Sequence, residues 1–150
     1  MALHPARPPP AQAQAQADEI VRQVQGVYLG LAKPADLVET NKRLRERLFI
    51  YNSYPCGPDN LPTAIDFFDF NHPENNMCVA VREWVYQARG QVNGGAKRFD
   101  IAFFINGFPM VLCETKTPVR PAITWADGAS DLLDYEQSVP HAFVSNVFNF

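Results

Sequence analysis

The sequence is short of positive charge. Thirteen lysines and arginines against sixteen acids leave 150 residues at a formal −3, whereas a dedicated nucleic-acid binder usually carries a basic footprint. The balance argues mildly against nucleic acid as a partner of the whole surface. It leaves room for a local patch, because a catalytic centre needs few cations and a larger assembly can supply the rest. Long apolar runs are also missing: none approaches the roughly 20 residues of a membrane span. The opening stretch, MALHPARPPPAQAQAQA, has no apolar core of a secretory signal. No membrane partner is expected. Cysteine is scarce. Cys56, Cys78 and Cys113 lie far apart with no CxxC spacing, and an odd, scattered set fits a reducing, cytoplasmic setting; one disulfide plus a free thiol is the alternative. His72 has no second His or Cys at ligand spacing and reads as a loop residue. The pattern GxxxxGK[ST] is absent throughout, which excludes ATP binding by a polyphosphate loop.

What is present is ordinary globular composition, 47% hydrophobic and 19% charged, long enough for one domain to bury most of its apolar surface. Residues 1–17 hold almost no bulky apolar side chain, so they are expected to form a disordered lead-in, with the folded domain spanning 18–150. Asp18 to Leu29 reads as a helix capped by Asp18, with Ile20, Val24, Val27 and Leu31 recurring on one stripe; Gly30 and Pro34 stop it. A second helix follows from Asp36, where Asp36 and Glu39 match a capping box and Leu37, Leu44 and Leu48 form the buried stripe. Asn41 falls on that stripe, either as a satisfied buried amide or as a catalytic group. The other face carries Glu39, Lys42, Arg43, Arg45, Glu46 and Arg47. It is either a solvated face or a row of cations able to track phosphates. Residues 51–63 read as a loop, Ala64 to Phe70 as a strand, NHPENN as a turn, and Met77 to Gln87 as an alternating strand. RGQVNGGAK is a glycine-rich connection. After the hairpin described next, 118–122 is a loop, Ala126 to Gln137 a helix with Ala129, Leu132 and Leu133 inward, and His141 to Phe150 a strand. This order gives an α/β fold, a mixed β-sheet flanked by helices.

Between Arg98 and Thr117 the sequence RFDIAFFINGFPMVLCETKT is two apolar strands joined at Asn106-Gly107. Acids and a lysine appear only where the strands emerge: Asp100, Glu114 and Lys116. Strand alternation sets a condition on them. With a two-residue turn, Ile105 faces Phe108, Asp100 pairs with Cys113, and Glu114 points to the opposite face. A three-residue turn or a bulge shifts pairing by one and sets Asp100 across from Glu114, their side-chain roots about 5 Å apart. Lys116, two residues on, returns to the same side. A shared site therefore requires an odd-length turn or a bulge. Two carboxylates on one face suit Mg²⁺, a hard cation that prefers oxygen ligands and keeps several waters, and the Thr115 carbonyl is a further candidate ligand. A lysine beside them can orient water and offset charge on phosphoryl oxygens. A surface ion pair is the plainer reading of Glu-x-Lys taken alone.

Residues 98–116 resemble the Asp…Glu-x-Lys core of the PD-(D/E)xK nuclease superfamily. DFFDFNHPENNMCVAVREWVYQ and RFDIAFFINGFPMVLCETKTP further resemble the N-terminal nuclease region of the type I restriction enzyme R subunit, with its N-G turn and E-x-K-x-P exit. The likeness runs from about Asp36 to the end. It implies a restriction-endonuclease-like fold, Asp100 and Glu114 as Mg²⁺ ligands, and Lys116 as catalytic base or electrostatic stabiliser. It implies double-stranded DNA as substrate, and methyltransferase and specificity subunits as partners that choose the target. ATP would enter only through a motor region absent here, so the chain reads as a nuclease domain or a fragment. The resemblance also places Gln-x-x-x-Tyr on the next helix. Tyr135 fits, but Asp131 stands at the glutamine position and adds negative charge. Phe99 replaces the proline before the aspartate. Glu39 and Glu46 are both candidates for a further acid. Beside the endonuclease reading stand an inactive docking module of the same fold, which Asp131 and the acidic balance favour, and a nuclease acting on branched or damaged DNA.

Overall fold

The computed structural model describes residues 10–56, 61–87, 95–116 and 124–149; residues 1–9, positions 57–60 of the expected loop and the expected loop at 118–122 lie outside them, as does the expected connection at 89–97 up to Gly94, while its Ala96 and Lys97 open a strand. Helix α1 runs Pro10–Leu29, so it begins inside the stretch expected as a lead-in. Alanine and glutamine are good helix formers and proline fits a first helical turn, so the repeat continues the helix toward the N-terminus. Asp18 is consequently interior and not a cap; its carboxylate accepts from the Gln14 amide at 2.8 Å. Val24 and Leu31 are buried as their spacing predicts. A tight turn at Pro34–Asp36 leads into α2, Leu37–Phe49. The Asp36 side chain makes no capping bond; instead the Thr40 hydroxyl donates to the Asp36 carbonyl at 2.9 Å. Leu44 and Leu48 are buried together with Thr40. The Asn41 amide donates to the Val144 carbonyl at 2.7 Å, the structural reading of that residue.

The expected loop at 51–63 holds a small antiparallel pair, β1 (Ser53–Pro55) with β2 (Pro62–Ala64). Of the strand expected over 64–70, only Ala64 is paired, at the end of β2, and 65–70 are irregular. Phe67 and Phe68 pack their rings on Phe108 instead of joining a ladder. The main sheet runs β3 (Cys78–Gln87), β4 (Ala96–Ile105), β5 (Phe108–Cys113), β6 (Phe148–Asn149) in that order. The first three are antiparallel and β6 is parallel to β5, which makes the sheet mixed. The final strand is far shorter than expected, because Pro140–Phe143 forms a helical turn that turns the chain inward. Helix α3, Trp125–Ser138, starts where Asp127 accepts the Thr124 backbone N–H at 2.5 Å. It buries Leu132 and Gly128, while Ala129 and Leu133, expected inward, are exposed.

Two apolar clusters form the core. Phe99, Ala102 and Leu112 pack with Leu132, Val139 and Phe143 in one; Val24, Leu44, Leu48 and Phe68 form the other, with Phe108 and Met110 at its edge. Leu37 touches both. Val79 and Phe103, which the pairing puts on opposite faces, are both exposed, as is Val85, so neither face is covered along its whole length. All three cysteines are free.

Candidate functional site

The hairpin settles the register question by a route that leaves the turn short. Asn106 and Gly107 both take positive φ, 50° and 85°, the pattern of a two-residue turn matched to strand twist. Ile105 pairs with Phe108 and Phe104 with Pro109. Between Phe103 and Phe104 the register then shifts, and Phe103 pairs with Val111, Ala102 with Leu112, Ile101 with Cys113. One residue of β5, Met110, is thereby left over as a bulge. The pairing carried one residue further sets Asp100 against Glu114. Without the bulge Cys113 would hold that place. A second irregularity lies at the other neighbour: Glu83, opposite Asp100 on β3, has φ 52°, and Phe99 and Ala102, three apart, are both fully buried. Alternation slips at Asp100, where the strand turns its acid toward the exit of β5.

Asp100 is held by Thr115, whose backbone N–H and hydroxyl both donate to its Oδ2, at 2.8 and 2.7 Å. Those bonds, with Arg98 and Lys116 nearby, hold the Asp100 carboxyl below the usual carboxylate range. Glu114 moves the other way. Burial raises its pKa, the Asp100 charge adds to the rise, and Lys116 only partly offsets it. Its Oε1 is buried and has no hydrogen-bond partner. A buried carboxylate oxygen left bare beside a second carboxylate is a place that a cation relieves, so the residues fit a divalent ion. Among the described residues no three His, Cys, Asp or Glu side chains gather as a metal cage. Two carboxylates with retained waters is the donor set that suits Mg²⁺ rather than zinc.

Lys116 reaches α3. Its ammonium pairs with Asp131, which raises the lysine pKa, and its stem crosses Gly128, where an added Cβ would lie 3.5 Å from the Lys116 Cγ. Tyr135, one turn beyond Asp131, packs edge-on against Phe99 at 5.3 Å. Burial and the charges of Glu114 and Asp131 push its hydroxyl pKa up. The structure thus brings Asp100, Glu114, Lys116, Asp131 and Tyr135 to one end of the sheet. Glu39 and Glu46 are not among the groups acting on Asp100 or Glu114, and Glu39 pairs with Arg43 at 3.2 Å. Three contributors carried little mark in the sequence: the Thr115 side chain, signalled only by its place after Glu114, and Gly128 and Lys97, whose ammonium meets Asp134 at 2.6 Å, with no local signal of either contact.

A mixed sheet flanked by helices, with acids and a lysine at one end, is compatible with a nuclease-like fold. The chain belongs to the family described as Type I restriction enzyme R protein N terminus, whose model matches residues 12–150. Among curated proteins it is similar to the Type I restriction enzyme HindI endonuclease subunit of Haemophilus influenzae, 30% identical over 115 residues, 74% of this chain and 10% of that protein. The chain therefore spans a tenth of that relative's length. No solved structure gives a significant match.

Proposed function

We propose that the domain is a Mg²⁺-dependent, PD-(D/E)xK-type endonuclease region that cleaves double-stranded DNA as part of a type I restriction-modification complex. The observation that carries this reading is the bulge in β5: it brings Asp100 and Glu114 together and leaves the Glu114 Oε1 bare and buried. Asp100 and Glu114 would hold the ion, with Asp100 kept ionised by Thr115. Magnesium, when bound, supplies a polarised phosphate and a water of lowered pKa. Lys116 stands two residues from Glu114 on the same side. It serves as the cation that offsets charge on phosphoryl oxygens and orients the attacking water by hydrogen bonding. The HindI endonuclease subunit is named for such activity; methyltransferase and specificity subunits as partners, and ATP used elsewhere in the full enzyme, belong to the same proposal.

The test is metal-dependent nicking of supercoiled plasmid. The parent chain nicks slowly in Mg²⁺, and Asp100→Ala or Lys116→Ala lowers the rate by at least 10²-fold, as loss of a positioned catalytic group does. Nicking that persists through either substitution would refute the assignment. The Lys116–Asp131 pair favours a second reading, a docking module that keeps the fold without activity. Calorimetry decides between the two: Mg²⁺ uptake lost in Glu114→Gln supports the nuclease, and no uptake by the folded parent supports the docking module.

A further inference from the structure

Three described cations at the Asp100 end of the sheet are each engaged by an acid. Arg98 meets Glu83 at 3.2 Å, Lys97 meets Asp134 at 2.6 Å, and Lys116 pairs with Asp131. The last two pairs have a common architecture. Asp131 and Asp134 are three residues apart, on one face of α3. Lys97 lies near the start of β4 and Lys116 just past the end of β5, so antiparallel pairing puts them at the same end of the hairpin. Tyr135 joins the two pairs: the Lys97 ammonium sits 4.9 Å from its ring centroid, and Glu114, Asp131 and Lys116 all act on its hydroxyl. The Lys116 stem lies over Gly128, where an added Cβ would make ordinary contact at 3.5 Å. Helix α3 therefore presents two carboxylates about one turn apart to two lysines beside the proposed ion site, the same sign of charge that backbone phosphates would present.

We propose that Lys97 and Lys116 are DNA phosphate contacts and that Asp131 and Asp134 occupy them in the free chain, so that α3 acts as an internal counter-anion which DNA must displace. The proposal rests on the nuclease reading for its choice of ligand, and it adds Lys97 as a second phosphate-binding residue. Both pairs are partly exposed, with the lysine side chains 22% and 26% accessible, so displacement needs no unfolding. Exposed pairs are weak, so the acids lower affinity without abolishing binding.

The experiment is fluorescence anisotropy with a short labelled duplex and the full 150-residue chain, in EDTA so that no cutting occurs, across a KCl series. Asp131→Asn and Asp134→Asn are each expected to tighten binding by about two- to fivefold, the range that an exposed ion pair supports. In the double variant the slope of log K against log salt steepens by about 0.9 for each lysine freed. Adding Lys116→Ala to Asp131→Asn, or Lys97→Ala to Asp134→Asn, removes the gain. Glu74→Gln, which neutralises an exposed acid in the 73–75 turn, controls for net charge. Equal tightening in Glu74→Gln, gains that survive loss of the lysines, or unchanged affinity in the double variant would each overturn the proposal. Because affinity is scored without metal, a chain that never nicks plasmid refutes the nuclease assignment while leaving this result readable.

Discussion

Asp100 and Glu114 carry the same chemical group and are pushed in opposite directions. Thr115 donates twice to Asp100, so its folded pKa lies below its ordinary 3.8. The stability this contributes is present above the unfolded value and is lost as pH falls through the folded one. Asp100→Asn is therefore expected to destabilise the metal-free chain near neutral pH by about 1 kcal/mol after solvent screening, with the difference vanishing in strong acid. Glu114 has its pKa raised above 4.5 by burial and by Asp100. Its charge opposes folding, and that cost appears as pH rises through the unfolded value toward the folded one. Glu114→Gln should thus raise the neutral-pH Tm by roughly 1–3 °C and leave it unchanged well below pH 4. Saturating Mg²⁺ reverses the ranking: the parent gains about 2.7 kcal/mol at a hundredfold excess over Kd and Glu114→Gln gains little. Thermal scans across pH, with and without the ion, check both signs. A Glu114→Gln chain less stable than its parent at neutral pH without metal would remove the orphaned carboxylate as a feature of the site.

At the scale of elements, the hairpin turn is anchored from outside itself. The Asn106 Oδ1 accepts the Met77 N–H at 2.7 Å, and its Nδ2 donates to the Phe67 carbonyl at 2.7 Å and to the Asn76 Oδ1 at 2.8 Å. Asn76 in turn donates to the carbonyls of Asp69 and Pro73. The asparagine-rich 71–76 turn is thereby locked to the β4–β5 turn, which fixes the strand ends whose register places Asp100. Asn106→Gly keeps the positive φ and loses the side-chain bonds; Asn106→Ala loses both. We expect equilibrium urea unfolding to show a loss of about 1–3 kcal/mol for the first and about 1 kcal/mol more for the second. The turn itself was legible, because Asn-Gly between apolar runs specifies positive φ. The bulge at Met110 was not, since an extra residue in an apolar strand leaves no compositional mark, and only the demand that the acids meet pointed to it. The 64–70 strand failed for a different reason. Its aromatic run has high strand propensity, yet Phe67 and Phe68 gain more by packing on Phe108 than by pairing.

The whole molecule combines a legible core with an electrostatic arrangement that only three-dimensional contact reveals. Stripes of leucine and valine announced α1 and α2, and strand exits announced Asp100, Glu114 and Lys116. The partners of the cations were hidden because Lys97 and Asp134 lie 37 positions apart, and nothing in either neighbourhood names the other. That hidden pairing changes what the net charge of −3 means. A surface with free cations at the site would bind DNA with a steep salt dependence even at this net charge. Here Lys97, Arg98 and Lys116 already have counter-charges, so these three release few counterions on binding. The parent chain is expected to bind duplex DNA weakly, with a slope of log K against log salt shallower than the roughly −2 that Lys97 and Lys116 would give once freed. A fourfold rise in salt then costs less than about sixteenfold in affinity, far less than a dedicated DNA binder loses. The competing surface is the solvent face of α2, where Lys42 and Arg45 stand exposed. A slope near −4, reduced by Lys42→Ala and Arg45→Ala rather than by Lys97→Ala, would move the DNA path from the end of the sheet to that helix.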